Sequence, residues 1–273
     1  RYRRYDVMGG LVMSFAFTRC KKLSVSGLVA AERHARRQDN SKHIDRSRTH
    51  LNLAEGCAGV DDPLAIRDAY KARKKDTGAS ERKGASVAVH MLLGVSPDWI
   101  AAAGDVHDPH NPRNRALFDS AKSFMEERFG PGSVIHVRLD VDEAGSGIVD
   151  VIAVPVTTYT QRGKTKTRVS ANAGLEAAFG KGLNYRQMQD AWADHCQKTL
   201  DPAIERGRPR EETGRDHVDH SIYRPMMEKA AAEVETLKES VVQETRADLA
   251  KEWEEAGWMG RRGLALEAAR DAA

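Results

Sequence analysis

The chain has 273 residues, 40% hydrophobic and 30% charged, and no run approaches the ~20 apolar residues a membrane helix needs, which excludes a membrane-spanning protein by this route. The net charge of +3 is small, but Lys and Arg cluster near residues 33–48, 71–83 and 162–168, a distribution that suits a polyanionic partner. Three cysteines, Cys20, Cys57 and Cys196, include no CxxC pair, so they supply neither a disulfide framework nor a zinc signature and fit a reducing cytoplasm.

In chain order, Ser14–Thr18 alternates Phe15 and Phe17 with small residues and predicts a strand. Ser24–Arg36 carries Leu28, Val29 and Ala31 at helical spacing, which places His34 near a helix end. From Glu32 to Arg48 only Ala35 and Ile44 could join an apolar face, so this polar, basic stretch is a solvated surface or an anion site. Its guanidinium groups match phosphate, and a neutral imidazole can serve as nucleophile, base or metal ligand. His43 reads as a solvated loop histidine. His50 opens an alternating run with Leu51, Asn52 and Leu53, which predicts a strand that would set Arg48, His50 and Asn52 on one face, to bind a phosphate or order a loop.

Asp62–Lys75 predicts a basic amphipathic helix with Leu64, Ile66, Ala69 and Tyr70 inward, and Lys71–Lys83 a cationic loop. Ser86–Val95 has the apolar density of a largely buried strand. Asp105–Arg115 holds His107 and His110 with two aspartates and two prolines and reads as a surface loop rather than a metal loop. Asn114–Phe129 is a helix by its spacing of Leu117, Phe118, Ala121, Phe124 and Met125, stopped by Gly130-Pro131-Gly132. Val134–Asp142 alternates, with Ile135, Val137, Leu139 and Val141 on one face and His136, Arg138, Asp140 and Asp142 on the other. Ala144–Gly147 makes a turn, and Ile148–Val156 returns with Asp150 as its single charge, which requires a partner. Gln161–Arg168 is a cationic hairpin-like segment whose Arg162, Lys164, Lys166 and Arg168 suit phosphate contact without base specificity. Leu183–Leu200 is a helix with Tyr185, Met188, Ala191, Trp192 and Cys196 expected toward a core. His217 and His220 read as solvated. Arg224–Glu254 is helical, with Met227, Ala230, Val234, Leu237 and Val241 at heptad-like spacing that lapses at Glu244 and Asp248; a self-associating coiled-coil arm and a single amphipathic helix both remain open.

His34-Ala-Arg-Arg37 followed by Ser47-Arg48-Thr49-His50-Leu51-Asn52 resembles the N-terminal motifs of the Mob/Pre family of plasmid mobilisation relaxases, His-Asn-x-Arg and Ser-Arg-x-His-x-Asn. Phe118–Pro155 is similar to the family's helix and following hairpin, and Glu205-Arg-Gly to the element that ends its catalytic domain. The resemblance starts at Met13, a candidate initiator, so residues 1–12 are expected to be an upstream, poorly ordered extension. It implies an α+β domain over 13–220, a relaxase-like central antiparallel sheet flanked by helices, followed by a helical tail over 221–273. The family nicks one strand at an origin by covalent attack, which implies plasmid DNA, single-stranded or hairpin, as partner. Carried over residue by residue, His34 becomes nucleophile or base with Arg37 and His50 as catalytic partners, while Arg36, Arg46, Arg48 and Asn52 hold DNA. The family's metal motif, His-x-Asp-Glu then Pro-His-x-His, is here Asp140-Val-Asp142-Glu143 then Gly147-Ile148-Val149-Asp150. Two histidines are replaced by Ile148 and Asp150, so either Asp140, Asp142, Glu143 and Asp150 form an oxygen-donor site suited to Mn²⁺ or Mg²⁺, or the metal site has decayed. The corresponding functions are a metal-dependent nicking relaxase and a catalytically inactive relative that only binds DNA.

Overall fold

The computed structural model describes residues 14–39, 41, 44–57, 59–143, 147–182, 184–207 and 220–256. The expectations for residues 1–12, His43, the tip 144–146 and His217 lie outside the described residues. Contacts divide the chain into two units, residues 1–207 and 208–273.

Unit one is built on a six-stranded sheet: β1 (Ser14–Leu23), β2 (Leu53–Gly56), β3 (Ala88–Val95), β4 (Val134–Leu139), β5 (Ile148–Ala153) and a short edge strand at Ile204–Arg206. Their order is β2-β4-β5-β3-β1 and then the edge strand, antiparallel throughout except that the edge strand joins β1 in parallel. A separate two-stranded hairpin comprises β6 (Val156–Gln161) and β7 (Lys164–Val169), which makes the edge strand β8. The helices are α1 (Val25–Ala35), α2 (Ile66–Asp76), α3 (Pro97–Ala101), α4 (Pro112–Phe129), α5 (Ala171–Phe179) and α6 (Tyr185–Thr199). Unit two contains α7 (His220–Glu255), on which Val234, Leu237, Val241, Leu249 and Trp253 are exposed. Among the described residues no helix is long and apolar enough to cross a membrane.

Two hydrophobic cores sandwich the sheet. Helices α4, α5 and α6 cover one face through Phe118, Phe124, Phe179, Met188 and Trp192, packed on Met91, Leu93, Val137 and Val151. The Phe124 and Trp192 rings meet edge to face with centroids 5.2 Å apart, and the buried Trp192 Nε1–H donates to the Gly94 carbonyl at 2.9 Å. On the opposite face α1 and α2 bring Leu28, Ile66, Ala69 and Tyr70 onto Leu23, Ala88, Ile135 and Ile152. The alternation of β4 therefore does not divide core from solvent; all six of its residues are buried. Its register shifts between Val134 and His136, and that irregularity turns Ile135 onto the α1/α2 side, opposite Val137, Leu139 and Val141 rather than with them.

Several elements differ from the sequence expectation for local reasons. β1 runs on to Leu23 because its charged stretch pairs along β3, Lys21 opposite His90 and Lys22 opposite Val89. Lys71–Lys75 belong to α2, and the connection after it is tied down at Ser80, which bridges to Arg168. α5 has no counterpart in the periodicity reading; its cue is local, Ser170 accepting from Ala173 N–H as an N-cap before an Ala-rich run. His50 lies in a 3₁₀ turn, Arg46–Leu51, because Asp45 caps the backbone there, and β2 begins only at Leu53.

Gly94 marks the closest approach within the sheet. A Cβ there would collide with the Phe17 ring and lie 2.7 Å from the Gly147 carbonyl oxygen. We expect Gly94→Ala to cost about 1–3 kcal/mol through overpacking, read as a fall in Tm relative to Gly78→Ala, where the added Cβ meets open space and only the positive φ is strained.

Candidate active site

Helix α1 ends where Arg37 adopts φ 55°, a left-handed conformation usually given to glycine, with its N–H donating to His34 O at 2.9 Å and Gln38 N–H to Arg33 O at 2.8 Å. This turn drives the Arg37 side chain, only 3% exposed, into the end of β4. Its Nε donates to Asp142 Oδ2 at 3.0 Å and its Nη2 to Asp142 Oδ1, a bidentate pair with a carboxylate that is 0% exposed. The same guanidinium lies 2.9 Å from Asp140 Oδ1 and 3.2 Å from Glu143 Oε1.

The 44–52 segment is the clamp on this arrangement. Ile44 bridges to Glu143, and Asp45 N–H donates to Asp142 O at 2.7 Å. Thr49 Oγ1 donates to Asp142 Oδ2 at 2.7 Å, and Asn52 Oδ1 accepts from the Val141 and Asp142 amides at 2.9 and 3.2 Å. Arg46 donates to the carbonyls of Arg37 and Asp39, both at 3.0 Å. Asn52 thus orders a loop, the second of the two roles open to it from the sequence. Arg48 pairs with Asp45 at 3.0 Å, Arg36 pairs with Asp62, and His50 is exposed on the turn, outside this cluster.

His34 sits at the mouth. Its Nδ1 contacts Asp39 Oδ2 at 2.6 Å, and Nε2 lies 3.4 Å from both Glu143 Oε1 and Arg37 Nη1. The hydrogen bond to Glu143 raises the His34 pKa, and the bond from His34 pulls Asp39 down to about 2. Behind it, Arg138 Nη2 is 2.6 Å from Asp140 Oδ2, and Asp150 meets His90 Nε2 at 2.6 Å and Arg138 at 3.8 Å. His90 is the partner that a lone aspartate in an apolar strand required. Burial pushes Asp140 up to about 7 against the pull of Arg138 and Arg37. Asp142 is held below the usual carboxylate range: burial opposes this, but hydrogen bonds from Arg37 and Thr49 outweigh it.

Of the four carboxylates the sequence offers for a metal, the structure separates the roles. Asp142 is consumed by Arg37 and Thr49, and Asp150 by His90. His34, Asp140 and Glu143 present one donor atom each, all within 4.8 Å of one another. Neither Asp140 oxygen, both buried, accepts a well-directed hydrogen bond, although each lies within 3 Å of a guanidinium nitrogen. A buried carboxylate with spare acceptor capacity beside an imidazole and a second carboxylate fits a divalent cation. Arg162, Lys164, Lys166 and Arg168 stand on the β6–β7 hairpin, in a different sheet from β4 and β5. The sequence reading missed Asp39, Arg138 and His90. Arg138 was visible as part of the polar face of β4; Asp39, in a loop, gave no periodic signal.

Two outcomes follow. Removing Arg37 strands the buried Asp142 charge, so Arg37→Ala should cost about 3–5 kcal/mol in urea unfolding, and Arg37→Lys should recover only part of it because a bidentate fork is lost. His136 is buried beside this network, its Nδ1 donating to Pro63 O at 2.9 Å, and burial lowers its pKa from 6.5 to about 4. The unfolded chain then binds a proton that the native state refuses, so stability falls as pH drops from 6.5 toward 4, by on the order of 3 kcal/mol in total. The difference between wild type and His136→Gln, measured across that window, should carry this dependence.

A family model described as plasmid recombination enzyme (Mob_Pre) matches residues 13–225. A "65 kDa protein" of Zymomonas mobilis subsp. mobilis is 26% identical over 133 residues, 48% of this chain but only 21% of that protein's length. Among solved structures, the MobM relaxase domain bound to plasmid pMV158 oriT DNA, in Mn-bound crystals, aligns over 78% of this chain and 99% of its own, at 18% identity with a TM-score of 0.53. A second such complex, with a 3′-thiophosphate on the 22-nucleotide DNA, gives 19% identity and 0.54. At that identity the likeness speaks to the fold. The family match, spanning most of the sequence, speaks to descent: this chain belongs to the Mob_Pre family of plasmid recombination enzymes.

Proposed function

We propose that the chain is a DNA-nicking plasmid mobilisation protein in which His34 attacks a phosphodiester of a single strand at an origin. The observation that carries this is the orientation of His34. Asp39 accepts from Nδ1–H at 2.6 Å, so transfer of the Nε2 proton to Glu143, 3.4 Å away, leaves the Nε2 lone pair as the nucleophile. Attack forms a P–N bond at Nε2 as the P–O bond to one sugar oxygen breaks. The ring becomes cationic and Asp39 balances that charge, while the departing alkoxide takes a proton from solvent. Arg37 Nη1, 3.4 Å from Nε2, stands where it can donate to a non-bridging phosphoryl oxygen.

Asp140 and Glu143 are the residues that would hold a divalent cation, and their oxygen donors suit Mn²⁺ or Mg²⁺. Such a cation, when bound, polarises the phosphoryl group and neutralises charge accumulating on it. The free state of Cys20, Cys57 and Cys196 supports a cytoplasmic setting. A second reading, a relative that binds DNA without cutting it, draws on one observation: Arg37 and Arg138 already neutralise much of the carboxylate cluster.

Supercoiled plasmid carrying the protein's own origin decides between them. With Mn²⁺ or Mg²⁺ present we expect conversion to open circles, abolished in His34→Ala, and a protein–DNA adduct that acid destroys and alkali spares, as a phosphoramidate requires. Full nicking by His34→Ala would remove His34 as nucleophile. Origin binding with no relaxation under either ion would leave the DNA-binding role alone.

A further inference from the structure

Arg138 is a charged member of the cluster that the nicking chemistry leaves without a task. It faces Asp150 directly across the β4–β5 pair and shares a face of β4 with Asp140, two residues on. Its side chain is 3% exposed, and Nη2 lies 2.6 Å from Asp140 Oδ2 and 3.8 Å from Asp150 Oδ2. The other oxygen of Asp150 is taken by His90 Nε2 at 2.6 Å. Register and alternation therefore set one buried guanidinium between two carboxylates.

The two arginines at Asp140 are held differently. Arg37 grips Asp142 through Nε and Nη2, and its departure would strand that buried charge. Arg138 has no such fork. Its Nε and Nη1 are buried without a hydrogen-bond partner, and its Nη2 contact to Asp140 is close but poorly directed. Of the two, Arg138 is the one that can release Asp140, because Asp150 remains beside it to balance its charge. Asp140 is at the same time one of three side chains, with His34 and Glu143, whose donor atoms lie within 4.8 Å of one another. A divalent ion bound there would share Asp140 with two guanidinium groups, and in a buried site that repulsion is little screened by water or salt.

We infer that Arg138 is the resident counter-cation of Asp140 and sets the affinity of the site for a divalent metal ion. Ion and guanidinium compete for Asp140, and binding leaves Arg138 on Asp150 alone. The inference rests on the reading above in which Asp140 and Glu143 hold such an ion. Binding is then limited by positive charge already present, not by a shortage of ligands. Removing Arg138 unmasks the carboxylates and strengthens binding, whereas removing a residue that merely orients metal ligands weakens it.

The test is Mn²⁺ binding to the full chain, without DNA and at fixed pH, read from loss of the free ion's electron paramagnetic resonance signal. Arg138→Met, which removes the charge and keeps the side-chain length, should bind Mn²⁺ about tenfold more tightly than wild type. Arg138→Lys, which keeps the charge, should stay within about threefold of wild type. Lys122→Met, which removes a cation paired with Glu55 on the rim of α4, should change nothing. Asp140→Asn in the Arg138→Met background should abolish the gain. Equal affinity in wild type and Arg138→Met overturns the inference and leaves the ion at Asp140 and Glu143 standing. A gain that survives Asp140→Asn also overturns it, because the ion then lies elsewhere. Absence of Mn²⁺ binding by wild type and Arg138→Met alike removes the ion reading, and this inference with it. Loss of Arg138 leaves two buried carboxylates short of a partner, so the wild-type protein supplies a second measurement. The Arg138 guanidinium resonance, identified by its loss in Arg138→Lys, should move on Mg²⁺ addition toward its position in Asp140→Asn. A resonance that stays fixed while Mg²⁺ displaces Mn²⁺ overturns the competition.

Discussion

The buried pair between Arg37 and Asp142 is the constraint on which the rest of the site depends. A guanidinium and a carboxylate withdrawn from water are tolerable only when every donor and acceptor finds a partner. That demand recruits residues from three segments. Arg37 comes from the end of α1 in a left-handed backbone conformation, Thr49 and the backbone of Asp45 come from the 3₁₀ segment, and Asp142 comes from the end of β4. Backbone strain of this kind persists where surrounding contacts over-determine it, and here the bidentate ion pair does so. His34, three residues before Arg37, is positioned as a by-product: the same turn that buries Arg37 leaves the imidazole between Asp39 and Glu143.

The sheet explains why so much charge lies in one place. Both of its faces are covered by helices, so the polar side of β4, which in a two-layer protein would face water, is enclosed beneath α1 and α2. Arg138, Asp140 and Asp150 then have to neutralise one another and His90. The family's histidine-rich metal motif is here an arginine–carboxylate lattice, with Asp150 and Ile148 where the family pattern has histidines. Asp140 lies within 3 Å of both arginines, yet burial outweighs them and raises its pKa to about 7.

Motif residues and site residues are not the same set. In Ser47-Arg48-Thr49-His50-Leu51-Asn52, Thr49 and Asn52 brace the end of β4, and Arg48 braces the turn through Asp45. His50, which the motif singles out most strongly, faces outward. Within the motif, Thr49 and Arg48 bond the carboxylates of Asp142 and Asp45, while Asn52 accepts from the backbone amides of Val141 and Asp142.

From the sequence alone came the family, the long helices α4 and α6, the buried strands β3 and β5, and the candidates His34, Arg37, Asp140 and Glu143. These rest on local information: apolar periodicity, glycine and proline stops, and a motif read within a few residues. What only the tertiary structure decided is which polar groups meet. Asp39 reaches His34 through a loop without periodicity, and Arg37 contacts Asp142 across 105 positions. Ser80 joins two basic stretches some ninety residues apart. Alternation along β4 announced a polar face, but whether that face met water or a second layer depended on where α1 and α2 packed. Pairings of this kind are fixed by the competition between desolvation and partner geometry in the assembled core, and no window of neighbouring residues contains that information.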